Sequence, residues 1–361
     1  MKKLGVFVTG LLWLGLCIAA WVLPNHEISE SERRKLQQFP EISVKDILSG
    51  DWMEDFESYT LDQFPLRDTF RRVKALVHYN LLGQKDNNGI YIADGYAAKL
   101  EYPLNENSLE HALNKFQQIY DKYLTDSKVY AAVVPDKGYF LAEPNGYPAL
   151  DYEVLTDKMA AGMPWAEWVD ISGALALESY YKSDTHWRQE EILDVAQKLC
   201  EALGTGAFYG MELVPQTLER PFYGVYYGQA ALPMDAEQMY VMQNEILDHC
   251  TVYNHETGKT TGIYDWSKME SQDLYDVFLS GAAALLTIEN PAGEPGKELI
   301  VFRDSYGSSL IPLLVKDYEK VTVIDTRYVA PVLLDRFVEF KGQDVLMIYS
   351  TLLLNSSFSL K

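Results

Sequence analysis

The sequence predicts an α/β protein built around a mostly parallel sheet. Between residues 299 and 349, short apolar runs bounded by turn residues alternate with helix-like segments, an order typical of strands joined by crossover helices. An amphipathic helical pattern also leads directly into an apolar run between residues 109 and 134. A helical lead-in before this domain and a large insertion within it complete the predicted architecture.

The amino terminus is typical of an export segment. Met1-Lys2-Lys3 precedes an apolar run over residues 4–23, which ends at Pro24. About 20 apolar residues are enough to cross a bilayer as a helix, and the two lysines favour a cytoplasmic start. We therefore expect residues 1–24 to anchor the chain in the cell membrane, with the remainder outside. Cleavage after Ala20, followed by secretion, is the alternative.

Changes in pattern along the chain predict its domain organisation. Residues 25–88 are charged and helix-prone and are predicted to form the lead-in segment, whereas residues 89–361 are predicted to form the main domain. The stretch at about 205–290 carries turns, aromatic residues and little regular pattern. We interpret this stretch as the insertion.

Periodicity places the individual elements of the main domain. Asp94-Gly95 predicts the turn of a hairpin. Ser108 is the predicted cap of a helix that extends to Tyr123. A second helix is predicted over residues 187–202, with Gly204 as its stop. The other predicted strands are 129–134, 299–302, 321–324 and 345–349, and the other predicted helices are 310–315 and 331–340.

Charge and cysteine content narrow the classes of partner and cofactor. The net charge of −21 disfavours nucleic acid and anionic lipid as the main partner, because phosphate groups would repel the chain. Cys200 and Cys250 remain in the exported part, where one disulfide and two free thiols are both possible. The six histidines have no zinc-binding spacing, so we expect neither a metal nor another cofactor.

Ser305 stands where a parallel strand is predicted to end and a helix to begin. Its hydroxyl is expected outside the carboxyl end of the strand, where the functional groups of open sheets gather. Backbone amides of the following helix can stabilise a developing oxyanion, which suits a nucleophile. A plain helix cap is the competing interpretation, since Ser and Asp favour that position for local hydrogen bonding alone.

Asp184 and His186 form a local acid–base pair. Residues two apart in an extended segment project to the same side, so the carboxylate of Asp184 can reach the imidazole of His186. A serine nucleophile needs such a base, and a carboxylate on the second ring nitrogen fixes its tautomer. Because Asp-x-His also occurs by chance, a surface hydrogen bond is the alternative.

Several motifs together carry a family resemblance. They are Ile28-Ser29-Glu30, Phe39-Pro40, 56–59, 62–67, 134–137, 183–187, 303–306 and 324–328. With these motifs the chain resembles the DHHW proteins, which are similar to the SGNH-like alginate O-acetyltransferases and related exported O-acetyltransferases. The resemblance extends from about residue 28 almost to the end. It implies an SGNH-hydrolase-like three-layer α/β/α fold.

The resemblance also implies roles for three residues. Asp184 would orient His186, His186 would act as the general base, and Ser305 would be the nucleophile that carries the acyl group. Thr185 stands where the motif that names the family has a second His, but related acetyltransferases also have Thr at this position.

Further residues are candidates for binding the oxyanion or the substrate. The backbone amide of Ser305 is an expected oxyanion donor, and Asn355 can supply a side-chain amide in the position that SGNH enzymes fill with Asn. A polar residue in a C-terminal loop is the alternative for Asn355. Tyr306 and Lys137 are expected to line the site.

Two arginines complete the set of candidate site residues. Arg303 and Arg327 are expected to contact the substrate. Each lies close in sequence to an acidic residue, Asp304 or Asp325, so structural ion pairs are an equal alternative.

The leading functional hypothesis is O-acetyl transfer to an extracellular or cell-wall polysaccharide through an acetyl-serine intermediate. By resemblance, an integral-membrane acyltransferase is the expected partner that supplies acetyl groups. A carbohydrate esterase would use the same triad with water as acceptor. A noncatalytic glycan-binding or assembly protein is the third hypothesis, and the intact set of Asp184, His186 and Ser305 disfavours it.

Overall fold

The computed structural model describes residues 2–29, 31–206 and 213–361, and the chain divides into two compact units. The first unit comprises Met1–Ile90 with Val225–Met234, and the second comprises Tyr91–Gly224 with Asp235–Lys361. The predictions for Met1, for Glu30 and for the part of the insertion from 207 to 212 lie outside the described residues.

The first unit begins with an apolar helix. Lys3–Val22 has a mean hydropathy of 2.1, and among the described residues it is the one helix long and apolar enough to cross a membrane. This helix fits a signal anchor or a signal peptide. The unit contains helices α1 (Lys2–Val22), α2 (Val44–Ser49), α3 (Asp51–Asp62) and α4 (Arg67–Leu76), a π-helical turn at Val77–Leu81, and the antiparallel strands β1 (Ile28–Ser29) and β2 (Arg34–Lys35).

The second unit contains the large sheet and the helices that cover it. Its strands, with a short hairpin at the start, are β3 (Ile90–Ala93), β4 (Tyr96–Lys99), β5 (Val129–Val134), β6 (Ala166–Trp168), β7 (Val214–Thr217), β8 (Tyr240–Gln243), β9 (Thr251–Asn254), β10 (Lys259–Gly262), β11 (Leu285–Glu289), β12 (Glu294–Arg303), β13 (Tyr318–Ile324) and β14 (Asp344–Ser350). The remaining helices are α5 (Glu106–Ile119), α6 (Gly138–Leu141), α7 (Tyr152–Gly162), α8 (Leu193–Leu203), α9 (Val225–Ala230, in the first unit), α10 (Glu245–His249), α11 (Gly307–Leu310) and α12 (Thr351–Leu354).

The sheet is parallel through its centre and antiparallel at one side. Its eight strands follow the order β10-β9-β11-β13-β12-β14-β5-β6. The pairs β13–β12, β12–β14, β14–β5 and β5–β6 are parallel. The pairs β13–β11, β11–β9 and β9–β10 are antiparallel. The carboxyl ends of β13, β12, β14 and β5 therefore lie side by side at one edge.

Both faces of the sheet are buried, which makes three layers. On one face, Tyr130 and Val301 pack with the apolar side of α8, and on the other, Ala131 and Phe302 pack with α5 and α7. Successive residues of a strand point to opposite faces, so both sets must be apolar in a covered sheet. The predicted α/β/α architecture with a mostly parallel sheet is confirmed.

The observed elements agree with the predictions for the four apolar strands and differ at the starts of two helices. The four apolar strands are confirmed, with β12, β13 and β14 longer than predicted. The helix predicted to start at 187 starts at Leu193, because the preceding residues follow the Tyr180–Trp187 bridge into a 3-10 turn. The predicted cap at Ser108 is wrong: Asn105 caps α5, and the Ser108 hydroxyl instead donates to the carbonyl of Leu354.

The two predicted C-terminal α-helices are largely replaced by 3-10 turns, and β9, β10 and β11 lie in the stretch interpreted as the insertion. α11 covers Gly307–Leu310 and continues as a 3-10 turn, and Pro331–Arg336 is a 3-10 helix. Within the stretch interpreted as the insertion, β9, β10 and β11 extend the main sheet. β9 and β10 are largely exposed strands and therefore have no long apolar run.

Candidate active site

Four adjacent strand ends bring the candidate residues to one edge of the second unit. β12 ends at Arg303, two residues before Ser305, and β13 ends at Ile324, directly before Asp325. β5 ends at Val134, three residues before Lys137. Polar groups at the carboxyl ends of neighbouring parallel strands share one crevice. Motifs that are far apart along the chain are thus neighbours through the sheet.

The turn that carries Ser305 is held by Asp304. One carboxylate oxygen of the buried Asp304 accepts a hydrogen bond from the backbone N–H of Tyr306 at 3.1 Å. The other accepts from the backbone N–H and the hydroxyl of Ser350, at 2.8 and 2.6 Å. Asp304 therefore ties the turn after β12 to the end of β14, and it leaves the Ser305 hydroxyl partly exposed.

Asp184, His186 and Ser305 form a continuous hydrogen-bonded chain. The Nδ1 atom of His186 lies 2.7 Å from Oδ1 of Asp184, and its Nε2 atom lies 2.8 Å from Oγ of Ser305. The backbone N–H of His186 also donates to Oδ1 of Asp184, at 3.0 Å. Asp184 is fully buried, so its carboxylate is shielded from water. This order of carboxylate, imidazole and hydroxyl is the one that activates a serine.

Aromatic residues fix the plane of the imidazole. The ring of Tyr275 stacks on His186 with centroids 3.9 Å apart and an interplanar angle of 6°. The Tyr275 hydroxyl lies 2.7 Å from the hydroxyl of Ser309, which also accepts from the indole N–H of Trp187. Burial raises the pKa of Tyr275 well above its usual value, so it stays neutral. The imidazole is thus held on one face by a neutral ring that is itself anchored.

The segment before Asp184 is held by a buried lysine on one side and by a glutamate on the other. Lys137 donates from Nζ to the carbonyl oxygens of Tyr181 and Lys182, at 2.8 and 3.1 Å. Glu237 accepts from the backbone N–H groups of Lys182 and Ser183, at 2.6 and 2.8 Å, and from the Ser183 hydroxyl at 2.7 Å. The three hydrogen bonds to the Glu237 carboxylate are charge-assisted, and such bonds are about twice as strong as neutral ones. They position the peptide that carries the Asp184 carboxylate.

Gly224 supports the same segment from another side. Its backbone N–H donates to the Ser183 hydroxyl at 2.9 Å. A β-carbon at position 224 would lie 2.3 Å from the backbone of Asp184. Only glycine permits this approach of the two chains.

The site also has a candidate oxyanion donor. Tyr306 and Gly307 donate their backbone N–H groups to Asp304, and Ser308 donates to the Ser305 carbonyl. Within the described part of the chain, no group accepts a hydrogen bond from the backbone N–H of Ser305. The expectation of several helix amides is therefore reduced to this single N–H.

Comparison with known proteins places this geometry in a family context. Residues 176–324 match the DHHW protein family. A DHHW family protein from Eubacterium siraeum has a similar solved structure, with a TM-score of 0.61 and 22% identity, covering 74% of this chain and 93% of that one. No curated protein matches this chain.

A second similar structure is PatB1 from Bacillus cereus, solved with and without a sulfonyl adduct. Each of the two structures has a TM-score of 0.54 and 15% identity, and covers 73% of this chain. The match covers 95% of the adduct structure and 96% of the other. At these identities the likeness shows the fold.

The DHHW match includes the Asp184–His186 segment and Ser305. Thr185 occupies the second position of the name motif, and its carbonyl accepts a 2.5 Å hydrogen bond from the hydroxyl of Tyr306. Tyr306 is buried and its ring lies edge-on to His186, with centroids 5.2 Å apart. Tyr306 therefore joins the two halves of the DHHW-like site.

The structure places the remaining predicted residues in supporting positions. Lys137 is buried, and burial lowers its pKa to about 7, although the Asp184 carboxylate opposes this shift. Asn355 donates its two amide hydrogens to Glu101 and to the carbonyl of Pro103, at 2.7 and 3.2 Å. An oxyanion donor needs an amide that is directed at the substrate, so these contacts favour the loop interpretation of Asn355.

The arginines meet at one acidic residue. Arg327 donates from Nε and Nη2 to Asp325, at 2.9 and 2.6 Å. The fully buried Arg303 has Nη1 3.8 Å from the same carboxylate, and it donates to the carbonyl of Asp304 at 3.3 Å. Both arginines therefore make structural contacts, which were the alternative to substrate binding. Their shared partner is the carboxylate of Asp325, not that of Asp304.

Sequence reasoning missed Glu237, Gly224 and Tyr275. All three lie in the stretch interpreted as an insertion. Their importance comes from contacts with residues 183–186, and a glutamate, a glycine or a tyrosine in an irregular stretch has no local pattern that indicates such contacts. The residues around Gly224 likewise give no indication that its backbone N–H meets Ser183.

Proposed function

We propose that this protein is an exported serine acyl-transfer enzyme that O-acetylates an extracellular or cell-wall polysaccharide. The observation that carries the proposal is the hydrogen-bonded chain from Asp184 through His186 to Ser305, with distances of 2.7 and 2.8 Å, at the carboxyl edge of a parallel sheet. The fold shared with DHHW-type structures supports it. The apolar α1 supports export, with retention as an anchor in the cell membrane.

The first half-reaction forms an acetyl-enzyme. Nε2 of His186 accepts the proton of the Ser305 hydroxyl as Oγ attacks the carbonyl carbon of the acetyl donor. The backbone N–H of Ser305 donates to the resulting oxyanion. When the tetrahedral intermediate collapses, the bond to the leaving group breaks and His186 returns the proton to it. Asp184 keeps Nδ1 protonated and stabilises the imidazolium.

The second half-reaction transfers the acetyl group to a sugar. A hydroxyl of the polysaccharide loses its proton to His186 and attacks the acetyl-Ser305 ester. Collapse releases the acetylated sugar and returns the proton to Ser305. An integral-membrane acyltransferase that delivers acetyl groups across the bilayer would be the natural partner of an anchored enzyme.

The test is formation of an adduct at Ser305. Full-length protein in detergent is incubated with p-nitrophenyl acetate, and the nitrophenol burst is followed together with intact mass. We expect an acetyl adduct in wild type and in Ser308→Ala, a nearby buried serine, and none in Ser305→Ala. Because PatB1 carries a sulfonyl adduct in its solved structure, methanesulfonyl fluoride serves as a second reagent with the same expected pattern.

Acceptor oligosaccharides then separate the possible reactions. Transfer of acetyl to sugar supports the transferase, whereas release of acetate regardless of sugar indicates an esterase. Equal nitrophenol release from wild type and Ser305→Ala, with no adduct in either, would contradict the catalytic assignment and favour a glycan-binding protein.

A further inference from the structure

Helix α4 presents an apolar side to solvent. Phe70, Val73 and Val77 follow one another at intervals of three and four residues, so they lie along one side of α4 and of the helical turn that continues it. Leu66 directly precedes the helix, in a left-handed conformation. The exposed fractions of Leu66, Phe70, Val73 and Val77 are 68%, 46%, 52% and 39%. The fully buried Ala75 lies on the opposite side. A surface helix of a soluble protein has the reverse arrangement, with its apolar side turned inward.

The polar residues of α4 are mostly basic, and two of them face inward. Arg67 and Arg71 both pair with the carboxylate of Glu32, the latter at 3.1 Å. Arg72 and Lys74 are exposed. A helix with an apolar side and arginines and lysines beside it is typical of segments that lie in the plane of a membrane interface. This local charge contrasts with the net charge of −21 of the chain.

The start of the apolar side, at Leu66, lies close to the carboxyl-terminal end of α1. The backbone N–H of His26 donates to Oε1 of Gln63, and the side-chain amide of Gln63 donates back to the carbonyl of His26, both at 2.9 Å. The Tyr59 hydroxyl donates to Asn25 at 3.2 Å. Leu23, directly after α1, lines the same cavity as Leu66. These contacts lie within the first unit and hold the start of α4 at the outer end of the apolar helix.

We propose that Leu66, Phe70, Val73 and Val77 lie in the headgroup layer of the bilayer that α1 crosses. We define these four residues as the lipid-facing stripe. The outer end of a membrane-spanning helix lies at the headgroup level, and the contacts at His26 place the first residue of the stripe at that level. Arg72 and Lys74 would then meet lipid phosphates. The proposal rests on retention of α1 as an anchor and is independent of the catalytic assignment.

Depth-dependent fluorescence quenching tests this placement. Full-length Cys17→Ser protein retains the buried thiols of Cys200 and Cys250, and Val73→Cys adds one accessible thiol for an environment-sensitive dye. The protein is placed in phosphatidylcholine vesicles that carry a nitroxide in the headgroup region or deep in the acyl chains. Asp68→Cys, exposed on the other side of α4, is the matched control. Aqueous iodide measures access of water to each dye.

We expect the dye at position 73 to be quenched several-fold more by the shallow nitroxide than the dye at position 68, and to be protected from iodide. Val77→Cys should give the same result, which guards against a local defect in one variant. Strong iodide quenching without lipid quenching at both stripe positions would overturn the proposal. Protection from iodide and from both nitroxides would also overturn it, because a protein surface would then cover the stripe.

Discussion

Glu237→Gln tests whether the segment before Asp184 must be held for acyl transfer. The carboxylate accepts three hydrogen bonds from Lys182 and Ser183, between 2.6 and 2.8 Å. Glutamine has nearly the same shape but only one accepting oxygen, and its amide group would face a backbone N–H donor. The substitution therefore removes at least one charge-assisted bond and introduces an unfavourable donor–donor contact.

The size of the effect follows from these contacts. A hydrogen bond to a charged group contributes about 1.5–3 kcal/mol, so we expect the free energy of unfolding to fall by about 2 kcal/mol. The larger effect should be kinetic. A shift of about 1 Å in a positioning group can cost on the order of 100-fold in rate, and we expect kcat for acetylation of Ser305 to fall about 10- to 100-fold.

The assay is the nitrophenol burst from p-nitrophenyl acetate, with a thermal melt of each variant as a check of folding. Asp235→Asn is the matched control, because it makes the same charge change at an exposed carboxylate two residues away. KM should remain near that of wild type, since Glu237 acts through the Lys182–Ser183 peptide. A folded Glu237→Gln protein with an unchanged burst rate would refute the reasoning. A raised KM at constant kcat would instead indicate direct substrate binding.

Three further substitutions probe the same site. Asp184→Asn is expected to lower the acylation rate roughly 10⁴-fold, because an amide favours the wrong tautomer of His186; burst kinetics check this, and a loss below tenfold would contradict it. Gly224→Ala should lower both Tm and acylation rate, since its methyl group would lie 2.3 Å from the Asp184 backbone, and an unchanged Tm would count against that close approach. Burial lowers the pKa of Lys137 to about 7, compared with 10.5 in the unfolded chain. Below pH 7 the buried lysine is charged, which lowers the free energy of unfolding by the full amount. Between pH 7 and 10.5 the folded protein binds fewer protons than the unfolded chain, so the free energy of unfolding rises with pH. Lys137→Met should therefore remove a rise in unfolding free energy between pH 7 and 10.5, and urea titrations that give parallel pH curves for the two proteins would contradict it.

Local sequence patterns were sufficient for much of the fold and for part of the site. The strand at Val129–Val134 was predicted with its observed bounds, because a strand covered on both faces must be apolar at every position. The pairing of Asp184 with His186 is also local, since the two residues are two positions apart, but the structure places them in a bend rather than in the predicted extended segment. The position of Ser305 after β12 followed from the end of an apolar run.

Patterns without a clear period were less informative. The helix predicted from 187 begins only at Leu193, because Trp187 is taken up by a bridge to Tyr180 and by hydrogen bonds to Tyr306 and Ser309. Those contacts are specific to the folded chain. Propensity and periodicity describe a segment by itself and cannot include them.

The sequence by itself thus determined four strands of the parallel part of the sheet and the two halves of the candidate site, whereas the three-layer arrangement was implied only by the family resemblance. Only the tertiary structure decided that Nε2 of His186 meets a hydroxyl 119 residues away, that Tyr275 stacks on its ring, and that Glu237 holds the peptide before it. The physical reason is that burial imposes a repeat on neighbouring residues, whereas a contact between distant polar groups depends on where the sheet order brings them together. No local pattern encodes that order.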